Sequence, residues 1–449
     1  MVESLGATVV LADYVVGASF DDVPTAVVRE SVRSLLNWAG CAIGGSGHET
    51  VDRALAAVSP FAGEGVARLF GRVEKTDPLN AALLNGISSH VFDFDDTHLK
   101  TIIHPAGPVA SCLLALAEVR PMTGAELLHA FILGVEVECR IGNAVYPAHY
   151  DIGWHITGTA GVFGAAAAAG KILGLDRQQM VWALGIAGTQ SSGFREMFGT
   201  MCKSFHPGRA AQNGLLSALL AQQGFTSSDR VLEAPRGFAH VMSTERDFSE
   251  ITDGLGDHFE ISLNTYKPFA CGIVIHPSID GAVQLRTDHD LKPADIARVE
   301  LKVAPLVLEL TGKKTPRTGL EGKFSVYHSV AAALTYGAAG EKEYSNACVA
   351  DPAIMALRDT VEATADRTVR DDEATVTVFL KNGKTLSKYV SHALGSLERP
   401  MSDKDLEAKF SGLCEGILTP AQTATAIQSY WDAPSIQDAK QLIKVAVKT

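Results

Sequence analysis

Gly158-Thr-Ala-Gly-Val-Phe-Gly-Ala-Ala-Ala-Ala-Ala-Gly170 is the stretch on which the fold turns. It carries no charge and no proline, and it consists largely of Gly and Ala. Alanine is the best helix former, and small residues let helices approach closely, so the stretch predicts a helix buried between other helices. Its 13 residues are too few to span a bilayer, which needs about 20.

Helical signals surround it. Val27 to Ala42 repeats apolar residues at helical spacing and ends on Gly44-Gly45. Pro78 to Ser88 opens on a first-turn proline, and Pro108 to Val119 is a long apolar run. Thr123-Gly-Ala-Glu126 has the form of a capping box, opening a helix through Cys139. Arg209 to Gln223 predicts a further helix after Pro207-Gly208.

The texture changes near residue 265. Arg298 to Val303, Ala374 to Leu380 and Thr385 to Val390 alternate apolar and polar residues, and Lys381-Asn-Gly-Lys384 suits a hairpin turn. Helical stretches fall near 276–287, 325–337 and 351–360, and from Met401 the chain is helical again. The expectation is a mainly α protein: a large all-helical domain formed by both chain ends, 1–265 and 397–449, with a smaller α+β domain, 266–396, inserted as a lid.

A chain of 449 residues suits two domains, and 46% apolar with 20% charged residues excludes a largely disordered one. The net charge of −12 argues against nucleic-acid binding and means that any anion site is a local cluster of cations. The seven cysteines form no CxxC pair, which favours a reducing compartment. The N-terminal MVESLGATVVLADYVV lacks a basic leader and does not read as a signal peptide. A cytoplasmic location follows, or a mitochondrial one if a leader has been removed, with no membrane association.

Four clusters carry candidate chemistry. The densest runs from His90 through Asp93, Asp95, Asp96, Thr97, His98 and Lys100 to His104-Pro105. It reads as a metal site, since Asp and His are ordinary ligands, or as helix-capping carboxylates beside an acid–base histidine. His104 precedes an apolar helix whose N-terminus favours anions. His155, between Gly153 and Gly158 at the mouth of the small-residue helix, is placed to meet a ligand or to be a satisfied core histidine. Lys203, His206 and Arg209 stand at three-residue spacing before a long helix, where a carboxylate would find charge-assisted hydrogen bonds. Lys267, within Tyr266-Lys-Pro-Phe-Ala-Cys-Gly272 at the domain junction, either clamps a carboxylate or snorkels. Lys323-Phe-Ser-Val-Tyr327-His328 brings a hydroxyl or an imidazole to the same cleft. No dinucleotide loop, P-loop, nucleophile elbow or zinc triad accompanies them. The inventory suits proton transfer beside a carboxylate.

HVFDFDDTH…HP, GWHITGTAGVFGAAAAA, FGTMCKSFHPGRAAQNGLLSALLAQQGFT, YKPFACGIVIHP and GKFS before VAAAL together resemble, in order, the MmgE/PrpD family. That family includes 2-methylcitrate dehydratase, cis-aconitate decarboxylase and iminodisuccinate epimerase. The resemblance implies a helical domain with a small lid, a homodimer, no cofactor or metal, and a small polycarboxylate substrate. Carried over by position, it implies site roles for Asp93, Thr97, His104, His155, Lys203 and Lys267. It also implies a tyrosine just after the KFS string, where Tyr327 and His328 both stand as candidates. Lys100 departs from the family pattern and adds a cation near the site.

These features predict that Lys203, Lys267 and Arg209, with His206 nearby, bind carboxylates. One of His104 and His155 moves a proton at the carbon beside a carboxylate, the other serves the leaving group or the opposite face, and Asp93 orients an imidazole. Dehydration ranks first as the commoner family activity, then decarboxylation, then epimerisation. The rivals from other classes are a metal-dependent enzyme using Asp93, Asp95, Asp96 and His98, and a non-catalytic carboxylate binder.

Overall fold

The computed structural model describes residues 6–448, so residues 1–5 of the N-terminal reading lie outside the described residues. The small-residue stretch forms the helix Ile156–Leu173, closed by Gly174 in the left-handed region (φ 67°). It is sandwiched by the helices Met201–Gln222, Gly124–Val145 and Ala106–Ala117. Glycines set the spacing: a Cβ at Gly164 would stand 2.6 Å from the Gly134 carbonyl oxygen, and one at Gly214 would stand 2.4 Å from Ala165 Cβ. At 18 residues the helix runs longer than the sequence predicts, and by length and composition alone it could cross a bilayer. Within this fold 89% of it is buried against protein.

The Thr123/Glu126 capping box forms as expected and opens Gly124–Val145. Asp77 caps the helix Pro78–His90 by accepting from the Asn80 amide. This helix crosses Met201–Gln222 at two glycines, where a Cβ on Gly86 would lie 2.5 Å from Gly208 Cα. The crossing brings His90, at the last turn of one helix, against Lys203, in the first turn of the other.

Met201–Gln222 corrects the predicted start at Arg209, because Thr200 caps the Cys202 amide and the helix continues through Pro207. Lys203, His206 and Arg209 therefore sit on a helix. At about 100° per residue, Arg209 is turned some 120° away from Lys203.

The helices Asp403–Cys414 and Pro420–Trp431 pack on Thr25–Gly45 and against each other. Phe410, Tyr430 and Leu442 share one apolar core with Leu35 and Trp38, so both chain ends build the helical body. The intervening chain forms a four-stranded sheet in the order Val361–Ala365, Ile296–Val303, Ala374–Leu380, Thr385–Val390, the first pair parallel and the others antiparallel. Gly383 (φ 85°) makes the predicted hairpin turn. His276–His289 and Val326–Tyr336 cover this sheet, and Val299, Leu301, Val376 and Val378 fill a second core. The predicted helix at 351–360 ends early: Pro352–Arg358 is helical and a strand begins at Val361. Asn264–Tyr266 pairs antiparallel with Asp96–His98, which ties the acidic run to the domain junction and places Lys267 beside Asp93.

Candidate active site

The acidic run turns sharply. Asp93 (φ 51°) and Ile102 (φ 60°) both occupy the left-handed region, a costly conformation for side chains other than Gly. At Asp93 the turn directs the carboxylate between two buried ammonium groups. Lys267 Nζ lies 2.6 Å and Lys203 Nζ 3.2 Å from Asp93 Oδ1, and Lys267 also donates to the Asp93 carbonyl at 3.1 Å. Burial disfavours the Asp93 carboxylate, but Lys203 and Lys267 outweigh it and hold its pKa well below the ordinary range. Burial likewise acts against the Lys267 ammonium, yet Asp93 and Asp95 raise its pKa on balance. For Lys203 burial wins and the pKa falls, so the two lysines are not equivalent cations.

Three imidazoles face this group. His90 is bound on both sides, with Nδ1 2.6 Å from Asp95 Oδ2 and Nε2 2.8 Å from Lys203 Nζ. His104 Nδ1 lies 2.7 Å from the Asp96 carbonyl and 3.2 Å from Thr97 Oγ1. A proton on Nδ1 satisfies the carbonyl and leaves Nε2 as the free acceptor. His155 Nδ1 sits 2.8 Å from His206 Nδ1, so one ring donates to the other. Burial, with neighbouring cations, pushes His104 down to about 3 and His155 well below its usual value, while His206 falls to about 4. Each shift favours the neutral ring.

The acidic run does not gather into a metal site. Asp93 faces the lysines and Asp95 faces His90. Asp96 accepts from Ser34 Oγ at 2.9 Å, Asn264 Nδ2 at 2.6 Å and the Ala106 amide at 3.3 Å, a capping role. His98 bonds Glu260 at 2.9 Å and Thr101 at 2.7 Å. A different trio, His90, His104 and His155, has ring nitrogens within 4.8 Å of one another. Its chemistry fits a cation poorly, because both nitrogens of His90 are engaged, Nδ1 with Asp95 and Nε2 with the Lys203 ammonium.

Asp93, His104, Tyr150, His155, Lys203 and Lys267 line one narrow cleft, with Ile102, Phe198, Ile273 and Phe324 among its apolar walls. Thr97 and His206 lie behind His104 and His155 as hydrogen-bond partners. Four predicted contacts fall elsewhere. Arg209 is exposed and bonds Gln212, a consequence of its helical rotation. Lys100 is exposed and pairs with Glu250 at 2.7 Å. Tyr327 packs into the second core, and His328 Nε2 bonds the Glu343 carbonyl at 2.8 Å. Ser325 caps their helix at the His328 amide, and it is Phe324, before the cap, that reaches the cleft.

His90 and Tyr150 join the site without a role expected from the sequence. His90 opens the acidic run, five residues before its partner Asp95, a legible signal. Tyr150 has none. Its ring carries the Arg195 guanidinium at 4.2 Å, and Arg195 pairs with Glu309 at 2.6 Å.

Residues 9–251 match the MmgE/PrpD N-terminal domain and residues 269–433 match the MmgE/PrpD C-terminal domain. A cis-aconitate decarboxylase-like protein of Aspergillus oryzae is 25% identical over 97% of this chain and 96% of its own length. The cis-aconitate decarboxylase of Mus musculus is 27% identical, covering 88% of this chain and 84% of its own. The 2-methylcitrate dehydratase of Cupriavidus necator is 23% identical, covering 87% and 86%. The chain belongs to the MmgE/PrpD family.

Proposed function

We propose that the protein is a lyase acting on a small polycarboxylate, with decarboxylation of a cis-aconitate-like acid preferred to dehydration of a 2-methylcitrate-like one. The observation that carries the reading is the pair of buried lysines sharing Asp93 beside buried histidines. Two buried ammonium groups converge at one point and can give a substrate carboxylate charge-assisted hydrogen bonds, which are strong in such a site.

The order of the two reactions departs from the sequence expectation for two reasons. Apolar side chains flank the cleft, and loss of carbon dioxide from a desolvated carboxylate needs no acid for the departing group. Hydroxide departure does need one, in addition to the proton transfer at carbon. In the proposed step the bond from carbon to one carboxylate breaks and carbon dioxide leaves. The electron pair stays on carbon, delocalised toward a second carboxylate held by Lys203 and Lys267. An imidazolium, His104 or His155, then protonates that carbon. The bound substrate's negative charge raises the imidazole pKa and so supplies this proton. Dehydration stands as the second reading, favoured by the similarity to the Cupriavidus necator protein.

The test is turnover of cis-aconitate, 2-methylcitrate, citrate and iminodisuccinate, with released carbon dioxide and formed double bonds measured in parallel. Carbon dioxide from cis-aconitate is expected. Double-bond formation without carbon dioxide selects dehydration, and no turnover of any acid rejects the lyase reading.

A further inference from the structure

Three successive main-chain carbonyls at the acidic turn are each held by a different lysine. Lys323 Nζ donates to the Phe92 carbonyl at 2.8 Å, Lys267 Nζ to that of Asp93 at 3.1 Å, and Lys409 Nζ to that of Phe94 at 2.6 Å. The middle residue is the one in the left-handed region (φ 51°). Two of these lysines also hold the facing segment: Lys409 donates to the Lys267 carbonyl and Lys323 to the Ala270 carbonyl, both at 2.9 Å. The Asp93 turn and the Lys267 segment are therefore tied together on both sides of the 2.6 Å ion pair between their side chains. Lys323 is also paired with Glu341 at 2.7 Å. Lys409 comes from the helix Asp403–Cys414, which follows the α+β body, and its ammonium lies 4.0 Å from the centre of the Phe94 ring. It lies outside the lining of the cleft.

We infer that Lys409 is a positioning residue of the carboxylate site: it fixes the Asp93 turn against the Lys267 segment, and so sets where the cleft ammonium groups stand, without touching the substrate. The inference rests on the proposed function, since the substrate carboxylates are taken to bind Lys203 and Lys267. A costly backbone conformation persists only where its surroundings over-determine it, and Asp93 has a charged donor on its own carbonyl and on that of each neighbour. Hydrogen bonds from an ammonium are stronger than those from neutral donors, so one side chain can hold two carbonyls firmly. The two carbonyls that Lys409 holds belong to the two sides of the ion pair, one to the residue after Asp93 and the other to Lys267 itself. Loss of this one ammonium frees both sides at once.

The test is a double-mutant cycle on the full-length protein, with Lys409→Met and Asp93→Asn made singly and together. It is read by calorimetric binding of tricarballylate, an unreactive saturated tricarboxylate. Methionine keeps an apolar stem over Phe94 and removes both donors, and because the partners of Lys409 are carbonyls no acid is left unpaired. Lys409→Met is expected to weaken binding about tenfold or more in the parent, and less than about threefold once Asp93→Asn has cut the pair, since effects that act through one contact are not additive. A thermal melt establishes that each variant is folded at the assay temperature. Lys409→Gln is read by the same cycle if the methionine variant does not fold. Equal losses in both backgrounds make Lys409 a general structural residue and overturn the inference. Unchanged binding in Lys409→Met overturns it too, and both results leave the proposed function standing. If the parent does not bind tricarballylate, the carboxylate reading of the lysines falls, and the positioning role with it.

Discussion

Lys203 and Lys267 share a single carboxylate oxygen: their ammonium nitrogens stand 3.2 Å and 2.6 Å from Asp93 Oδ1. They approach from different parts of the fold, one from the first turn of a long helix and the other from the chain entering the α+β body. Asp93 thus joins the two bodies as well as balancing their charge.

Asp93→Asn removes the carboxylate that both lysines contact directly. Breaking a buried ion pair costs about 3–5 kcal/mol, because the partners are left charged and unpaired. The expected outcome is a melting temperature lowered by several degrees and a Michaelis constant raised at least tenfold. An unchanged melt would mean that solvent, not Asp93, compensates the two ammonium groups.

His155→Gln should abolish turnover with the fold retained, a loss of roughly 10²–10⁴-fold for a general acid or base. His206→Gln, behind it, should cost less and shift the pH profile, since it supports the ring through Nδ1. A thermal melt beside each assay decides the matter. A large fall in melting temperature with near-normal specific activity would make His155 a core histidine.

His90 bridges Asp95 and Lys203, so His90→Asn cuts a link between two charges that do not otherwise meet through a hydrogen bond. Turnover is expected to fall at least tenfold, with the Lys203 pKa altered. Steady-state kinetics across pH 6 to 10 check this, and a profile superimposable on the parent's would show that His90 only fills space.

Burial, with the Asp95 charge adding to it, raises Asp96 to about 7 against the opposing bonds from Asn264, Ser34 and the Ala106 amide. Its folded pKa exceeds its unfolded one of about 3.9, so the folded state holds the proton more tightly. That contribution to stability is complete below the unfolded value and is lost as pH rises through about 7. Relative to the parent, Asp96→Asn should therefore gain melting temperature between pH 5 and pH 8. A difference that stays constant over this range would show that Asp96 is ionised throughout.

Arg209→Ala is expected to leave the Michaelis constant within about twofold of the parent, because the guanidinium is exposed on Gln212, outside the cleft. A tenfold rise would return it to the carboxylate site.

The sequence by itself determined the helical body, the inserted sheet and the set of chemically active strings, because these depend on local signals: Gly/Ala content at 158–170, the Thr123/Glu126 box, alternation at 298–303 and Asn-Gly at 382–383. It also placed Asp93, His104, His155, Lys203 and Lys267 among the candidates, and they meet in one cleft. Only the tertiary structure decided which neighbours of those residues reach the same space. Arg209 is separated from Lys203 by helical rotation, once Thr200 rather than Pro207-Gly208 sets the helix start. Tyr327 and His328 are directed into packing by the Ser325 cap. His90 reaches Lys203 because Gly86 and Gly208 let two helix backbones touch, and Tyr150 reaches the cleft from a short helix with no motif of its own. Spacing along a chain shows which side chains can be neighbours within one turn; helix crossing points and left-handed turns such as Asp93 and Ile102 fix which of them converge, and these depend on residues far apart in sequence.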